Sequence, residues 1–257
     1  MCQQSINPTS SYKGISTCVP SLPEDFTQGA IFNMIQSLGD QTVASNEIII
    51  VLSNSKQLGA NATGEKGCKA IYHSLLLRYS RSPVQLICIG QILSAGIARN
   101  VAASFAQHEI LAFLDADDAQ TKNRNKVIIG MFACHPNLKM LLHSFFKRKP
   151  VQEPKCRQCC DEQYTSTREW TTILQQTERR WWLATNIAHG HAVVHHSVLQ
   201  DVRFSSIRHG EDSMFCRDVL HVYRGYANTT ISIDLQLTTY FKVAGRSKRE
   251  INKDLTP

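Results

Sequence analysis

Three carboxylates lie within four residues in the run Leu114-Asp115-Ala116-Asp117-Asp118, which follows the apolar segment Glu109–Leu114. A buried strand that ends in clustered aspartates can hold a divalent cation, because hard carboxylate oxygens suit Mg²⁺ or Mn²⁺. In open α/β sheets, ligands also bind beside the carboxyl ends of the strands. We call residues 115–118 the acidic turn and predict that it binds metal and phosphate. A solvated surface turn is the alternative.

Two further groups of residues have the chemistry to act with the acidic turn. Gly96-Ile97-Ala98-Arg99-Asn100 opens a helix just before the acidic strand, and a helix amino terminus with an arginine in its first turn suits a diphosphate. His209-Gly210-Glu211-Asp212 places two carboxylates at the start of another helix, where the dipole favours their charged form. An ionised carboxylate facing a donor site is what a general base requires. Ordinary helix capping is the alternative for both groups.

Length and composition indicate one large globular domain or two tightly joined halves. The chain has 257 residues, of which 42% are hydrophobic and 19% charged. No apolar run approaches the ~18 residues that cross a bilayer, and residues 1–5 show no signal-peptide pattern. The net charge of +7 is compatible with phosphates, anionic membrane surfaces or nucleic acid, and it selects none of them.

The nine cysteines predict a reducing, cytosolic type of compartment. Four lie in apolar segments and are expected to be buried, reduced thiols: Cys18, Cys88, Cys134 and Cys216. The segment Cys156-Arg157-Gln158-Cys159-Cys160 differs, because a CxxC pair is half of a zinc site. No second pair follows, so completion by histidines of residues 189–196 and simple loop thiols both remain open.

Apolar periodicity predicts alternating strands and helices in the first half of the chain. The predicted strands are Gly14–Val19, Glu47–Leu52, Val84–Ile89 and Ile110–Leu114. The predicted helices run from an N-cap at Ser21 through Leu38, over Ile71–Tyr79, from an N-cap at Ser94 along the face of Ile97, Val101 and Phe105, and from Lys126 to Cys134. This order predicts a parallel sheet with helices on both faces.

The second half is less regular. Strands are predicted at Leu138–Phe146 and Ala192–Val194, a loop or insertion at Lys147–Tyr164, a helix at Arg168–Trp182, and a basic tail from Lys242. A last helix is predicted over Glu211–Val222, with four residues toward the core: Met214, Phe215, Val219 and Val222.

In order and spacing, these segments resemble glycosyltransferase family 2, the inverting enzymes of GT-A fold. The matching segments are Ile15–Pro20, Ser37–Val51, Ala98-Arg99-Asn100, Phe113–Asp118, Glu211-Asp212 with Arg217, and Tyr240-Phe241-Lys242. The resemblance covers residues 12–245 and implies an α/β, mostly parallel central sheet flanked by helices. It also implies a single domain in which residues 12–118 bind the nucleotide-sugar and residues 119–245 bind the acceptor, before a basic tail at 246–257.

The resemblance further implies a metal-dependent, inverting transfer from a nucleotide-sugar, expected to be a UDP-sugar, to an acceptor hydroxyl. Asp117, with Asp118 beside it, would meet Mn²⁺ or Mg²⁺ and the diphosphate of the donor, and Asp115 would contact the nucleotide ribose or support the metal shell. Asp212 would be the general base and Glu211 would assist it or orient the acceptor. Donor contacts would come from Pro20, Ser53, Asn54, Arg99, Asp115, Ala116 and Asp117, and acceptor contacts from Trp182 and His191.

Three departures from the family pattern affect these expectations. After the second strand, the family has an aspartate that reads the nucleobase, whereas Val51 is followed here by Leu52-Ser53-Asn54-Ser55. Lys122 replaces a proline after the acidic turn, although Arg124 fits the pattern. A histidine of the C-terminal loop is missing, and Arg246 and Lys248 are candidates to cover the diphosphate instead.

Other functions fit the sequence less well. A phosphatase of the DxDx[TV] type requires Thr or Val where Ala119 stands, and a nucleotidyltransferase requires a Gly-rich loop that Pro20–Phe26 lacks. A GT-A-like domain that binds nucleotide or glycan without turnover is the main alternative. We expect a cytoplasmic protein with a glycan, lipid-linked or protein acceptor, possible peripheral contact with a membrane, and no nucleic acid partner.

Overall fold

The computed structural model describes residues 14–58, 65–79, 81–148, 189–207, 209–224 and 229–241. In these residues, eight strands form one sheet in the order β3-β2-β1-β4-β7-β6-β8-β5. The strands are β1 Ile15–Ser21, β2 Glu47–Leu52, β3 Val84–Cys88, β4 Ile110–Phe113, β5 Ala119–Gln120, β6 Met140–Arg148, β7 Val193–His195 and β8 Thr230–Phe241. The predicted strands are therefore confirmed, with shifts at their ends.

Helices connect these strands and cover the sheet. They are α1 Pro23–Thr27, α2 Ala30–Gly39, α3 Glu65–Arg78, α4 Ala95–Phe105, α5 Arg124–Cys134, α6 Val198–Asp201 and α7 Glu211–Val222. Short 3-10 turns occur at Ser55–Leu58 and His189–His191. Within the described chain, no helix combines the length and apolar content that a membrane span requires.

The first four strands form the parallel half of the sheet. β1 pairs in parallel with β2 and β4, and β2 pairs in parallel with β3. All six residues of β2 are buried, as expected for an aliphatic strand covered on both faces. Its one acidic residue, Glu47, accepts hydrogen bonds from the Ser16 hydroxyl at 2.6 Å and the Gln107 amide at 2.7 Å. These donors satisfy a carboxylate that is otherwise costly to bury.

The direction of the sheet reverses beside β4. β7 runs antiparallel to β4, so that Ala112 pairs with Val193 and Ile110 with His195. The carboxyl end of β4 therefore lies beside the amino end of β7. This reversal brings the acidic turn next to the turn His189–His191, although the two are far apart in the chain.

Aromatic and small side chains form the core that supports the site. The Phe113 ring meets the Phe204 ring edge to face at 4.9 Å, and Phe204 stacks on Phe215 at 3.9 Å. These rings join β4 to α7 and to the segment before it. α4 packs through Ala98 and Ala102 in the same cluster, and such small side chains allow a helix to approach the sheet closely.

The predicted N-cap at Ser21 is wrong, and the predicted helix through Leu38 is broken in two. Ser21 ends β1, and its hydroxyl donates to the Val51 carbonyl at 3.2 Å. The helix begins instead after Leu22, whose amide donates to the Asp25 carboxylate at 2.8 Å. Gly29 separates α1 from α2 at a positive φ of 77°, a conformation that favours glycine.

Two predicted apolar faces also differ from the structure. In α4 the buried face is formed by alanines and Arg99, whereas Phe105 is 51% exposed. In α7, Phe215 and Val219 are buried as expected, but Val222 is 44% exposed. The spacing of long apolar side chains thus failed to predict the packed face of α4, because small residues form that face.

The cysteine prediction is confirmed only in part. Cys18 and Cys216 are buried thiols, and burial raises the pKa of both. Cys134 is exposed, and Cys88 forms a disulfide with Cys68, because α3 lies against the end of β3. The segment 156–160 and the helix predicted at Arg168–Trp182 lie outside the described residues.

Candidate active site

The acidic turn directly continues β4. The Leu114 amide donates to the Cys18 carbonyl at 3.1 Å, which keeps the chain against β1 for one residue more. The Asp118 amide then donates to the Asp115 carbonyl at 3.2 Å and closes the turn. Asp118 and Ala116 are buried, whereas Asp115 and Asp117 are partly exposed. The turn therefore leaves two of its aspartates partly accessible and buries the third.

Arg99 joins the two acidic motifs of the sequence. Its helix is capped as predicted, because the Ser94 hydroxyl accepts from the Ile97 amide. The buried Arg99 guanidinium lies 2.6 Å from Asp115 Oδ1 and 2.9 Å from Glu211 Oε1. Burial alone would lower the pKa of Arg99, but the two carboxylates outweigh burial and raise it. A fixed cation thus lies between the acidic turn and the start of α7.

The neighbours of Arg99 in α4 hold the segment that leads into α7. The Asn100 amide group donates to the Phe204 carbonyl at 2.8 Å and accepts from the Phe204 amide at 3.0 Å. The Phe204 ring lies under Arg99, with 5.4 Å between the guanidinium carbon and the ring centroid. In the Ala98-Arg99-Asn100 motif, Ala98 therefore packs in the core, Arg99 pairs with two carboxylates, and Asn100 forms hydrogen bonds with the backbone of Phe204.

Gly96 lets α4 approach this segment closely, and its replacement by alanine tests the contact. An ideal Cβ at Gly96 would lie 2.5 Å from the Ser205 carbonyl oxygen and 3.0 Å from Glu211 Cγ. We expect Gly96→Ala to lower the free energy of unfolding by about 1–3 kcal/mol, because the backbone must shift. Urea denaturation measures this change.

Gly39→Ala is the matched control for that experiment. Its Cβ would make an ordinary contact, 3.7 Å from the Tyr79 ring. We expect stability equal to or slightly above that of the unsubstituted protein. Wild-type stability of Gly96→Ala would contradict the close approach of α4 to Glu211.

His191 contacts the acidic turn from the side of β7. Its Nε2 lies 2.8 Å from Asp118 Oδ2 and 3.8 Å from Asp115 Oδ2, and its Nδ1 lies 2.8 Å from the Thr238 hydroxyl of β8. Asp115, Asp118 and His191 each offer one metal-ligand atom, and the three atoms lie within 4.8 Å of one another. This group shares Asp115 with the predicted metal pair, and Asp117 lies outside it. His191 was expected to contact the acceptor, but it is buried against the acidic turn.

A buried arginine joins the end of β4 to the turn His189–His191. One Arg124 nitrogen donates to the Phe113 and His191 carbonyls, each at 3.0 Å. The others donate to Gln120 Oε1 at 3.1 Å and His143 Nε2 at 3.2 Å. Burial lowers the pKa of Arg124 to about 9, and burial together with Arg124 lowers that of His143 well below its usual value. A neutral His143 accepts this hydrogen bond.

Asp212 approaches the acidic turn from α7. The helix begins after Gly210, which has a positive φ of 78°. Asp212 is partly exposed and accepts a hydrogen bond from the Ser213 amide at 2.7 Å. Its Oδ2 lies 3.6 Å from the position that a Cβ of Gly190 would occupy, and Asp115 Oδ2 lies 3.1 Å from the same point. The fold thus brings together the two acidic motifs that the sequence separates.

The remaining predicted donor residues lie along the same edge of the sheet. Pro20 is near the carboxyl end of β1 and pairs with Val51 of β2. Ser53 is buried and donates its amide to the Ser21 carbonyl at 3.0 Å. Asn54 has a positive φ of 57° and donates its amide to the Gln91 carbonyl at 2.8 Å. Trp182 lies outside the described residues.

Solved structures of TarS from S. aureus share this architecture. The complex of TarS 1–349 with UDP-GlcNAc aligns with a TM-score of 0.62 and 16% identity, over 95% of this chain and 62% of that one. The complex with UDP gives 0.61 and 16%, over 89% and 60%. The chain has a GT-A fold.

This GT-A fold confirms the fold class predicted from the sequence. At 16–17% identity, the likeness to TarS concerns the fold alone. The chain spans about 60% of TarS 1–349 and 37% of the longer TarS structure. No protein-family model and no curated protein sequence gives a significant match.

Proposed function

We propose that this protein is an inverting glycosyltransferase that moves a sugar from a nucleotide-sugar, expected to be a UDP-sugar, to an acceptor hydroxyl. One observation carries the proposal: Arg99 binds both Asp115 and Glu211, which places the acidic turn and Asp212 around Gly190. The TarS complexes with UDP and UDP-GlcNAc support this class of donor. In this proposal, residues 12–118 bind the donor and residues 119–245 the acceptor.

The charges on the donor side favour a divalent cation. The acidic turn and the start of α7 carry five carboxyl groups, whereas Arg99 and Arg124 contribute two guanidinium groups. A diphosphate would add negative charge to this surplus, so a cation is required for it to bind. We propose Asp115 as the central metal ligand. Asp117, Asp118 and His191 are candidates beside it, because oxygen ligands with an imidazole fit Mn²⁺. When bound, the metal would stabilise the departing nucleoside diphosphate.

Asp212 is better suited than Glu211 to remove the proton of the acceptor. Glu211 is buried beside Arg99, so its carboxylate is less accessible to an acceptor hydroxyl than that of Asp212. Asp212 is partly exposed, lies near Gly190 at the start of α7, and is outside the Asp115, Asp118 and His191 group. A base in that position reaches an incoming hydroxyl without binding the metal.

The proposed reaction is a single displacement at the anomeric carbon. The acceptor oxygen forms a bond to this carbon while the bond to the diphosphate oxygen breaks, so the configuration inverts. Asp212 accepts the hydroxyl proton as the oxygen attacks. Arg99 holds Asp115 and Glu211 in place, so the donor side keeps its geometry during the transfer.

Partner and location remain part of the proposal. A glycan, lipid-linked or protein acceptor, peripheral contact with a membrane and a cytoplasmic location are all compatible with the fold. The Cys68–Cys88 disulfide is a feature of oxidising compartments and does not favour the cytoplasm. A domain that binds nucleotide without turnover is the alternative, and it leaves the position of Asp212 without a chemical role.

Hydrolysis of the donor tests the proposed function. Nucleotide-sugars carrying UDP, GDP, CDP or ADP are incubated with the protein in Mn²⁺, and release of the nucleoside diphosphate is measured. We expect release from at least one UDP-sugar, and its fall to background after chelation, because the acidic turn needs a cation to bind diphosphate. No release combined with no nucleotide binding in Mn²⁺ would contradict the proposal.

A further inference from the structure

Helix α3 exposes three large apolar side chains at one end of the sheet. It packs on β3, the first strand in the sheet order, and so lies at the edge of the described fold. Leu77 is 75% exposed, and Tyr72 and Leu76 are 40% and 44% exposed. The other exposed large apolar residues of the described chain lie in separate elements: Phe105, Ile207 and Val222. Three such side chains on one helix indicate a surface that contacts a partner.

Little of α3 is buried against the rest of the protein. Leu75 is the one buried residue of this helix. The Cys68–Cys88 disulfide joins the first half of the helix to the end of β3. A covalent bond, rather than a broad buried face, therefore holds α3 in place. The apolar side chains on its opposite face pack against nothing in the described chain, because they are exposed.

The same side of α3 is basic. Lys66, Lys69 and His73 are exposed and follow one another at a spacing of three and four residues, which places them on one helix face. Lys69 pairs with Glu65 at 2.6 Å, and Glu65 is the one acidic residue of the chain between Glu47 and Glu109. We define the outer face of α3 by six residues: Lys66, Lys69, Tyr72, His73, Leu76 and Leu77. This face combines positive charge with exposed apolar surface.

We propose that the outer face of α3 binds an anionic membrane surface. Helices that lie in a membrane interface combine these two properties, because their lysines attract anionic headgroups while their apolar side chains enter the layer beneath. A second copy of this chain fits the face less well. A two-fold contact would bring two basic faces together, and Glu65 is the one acidic residue in each helix. This inference goes beyond the proposed function and does not depend on it.

Sedimentation of the full chain with lipid vesicles tests the proposal. One set of vesicles contains equal parts of phosphatidylcholine and phosphatidylglycerol, and the other contains phosphatidylcholine alone. We expect binding to the anionic vesicles, and about tenfold weaker binding to the neutral ones or at high salt. Two double variants, Leu76→Gln with Leu77→Gln and Lys66→Gln with Lys69→Gln, should each bind the anionic vesicles about tenfold more weakly than wild type.

Val222→Gln and Lys126→Gln are the matched controls, because they replace an exposed apolar residue of α7 and an exposed lysine of α5. Both should bind the anionic vesicles like wild type. All variants should keep wild-type stability in urea, since the replaced side chains are exposed.

Four outcomes would overturn the proposal. They are a wild-type protein that does not bind the anionic vesicles, equal binding to the neutral vesicles, and wild-type binding by both double variants. The fourth is a dimer, measured by light scattering, that the double leucine variant dissociates, because a second copy would then cover the face. Vesicle binding requires no nucleotide, so these results are independent of whether the proposed transfer reaction occurs.

Discussion

Asp212→Asn is expected to lower the rate of sugar transfer by about 10²- to 10⁴-fold, the usual contribution of a general base. The amide cannot take the acceptor proton, but it has nearly the same size and accepts the Ser213 amide hydrogen bond through its oxygen. The affinity for UDP in Mn²⁺ should stay within about twofold of wild type. Nucleoside diphosphate release and calorimetry measure the two quantities on the same preparation.

Asp218→Asn provides the matched control, because it makes the same substitution on the same helix. Asp218 is about half exposed and forms a surface ion pair with Arg217 at 3.5 Å. We expect wild-type rate and affinity for this variant. If Asp212→Asn retained the wild-type rate, or lost UDP binding together with transfer, the assignment of Asp212 as the base would be wrong.

Arg99→Met is expected to lower the free energy of unfolding by about 3–5 kcal/mol, the cost of leaving buried charges without their partner. Glu211 is buried, and Asp115 retains about a third of its exposure, so most of this cost falls on Glu211. Loss of the guanidinium also lets the acidic turn and α7 separate, which should abolish UDP binding in Mn²⁺. Urea denaturation and calorimetry measure both effects.

Arg217→Met is the control that shows whether replacing any arginine destabilises the protein as much as replacing Arg99 does. The Arg217–Asp218 pair is exposed, and such pairs contribute about 0–1 kcal/mol. Equal destabilisation by the two variants would contradict the central position of Arg99. So would an Arg99→Met protein that binds UDP as wild type does.

Local patterns predicted much of the fold from the sequence. The aliphatic run Glu47–Leu52 is β2, Ser94 caps α4, and Glu211–Val222 is α7 as predicted. In each case, short-range information decides the structure: side-chain periodicity, a capping hydroxyl, or acidic residues at a helix start. The same information placed Asp115 after the end of β4 and Asp212 at the start of α7, where a site would need them.

The contacts that assemble the site were not readable from the sequence. Arg99 and Glu211 are 112 residues apart, and their pairing depends on how α4 and α7 pack. His191 meets Asp118 because β7 runs antiparallel to β4, and nothing in a three-residue strand specifies its direction. The sequence identified Arg124 only as a match to the family pattern, although its hydrogen bonds link the end of β4 to His191.

The wrong predictions have a common cause in tertiary packing. Ser21 has the capping pattern of a helix start, but pairing with β2 draws it into β1. The aromatic residue Phe105 fits a helical face, but the buried face of α4 is formed mainly by small side chains and Arg99. Local propensity was thus overridden where a neighbouring strand or sheet offered more burial.

Titration of UDP in Mn²⁺, followed by chelation, tests most directly whether the acidic turn and Arg99 form a metal-dependent nucleotide-sugar site. We predict that the protein binds UDP in the presence of Mn²⁺ and releases UDP when the Mn²⁺ is chelated. Asp115→Asn should also lose UDP, whereas Asp218→Asn should bind like wild type. Comparing the UDP affinities of Asp117→Asn and Asp118→Asn then identifies which of these residues is the second carboxylate ligand of the metal. A protein that binds no UDP in Mn²⁺, or binds it equally well after chelation, would contradict the account.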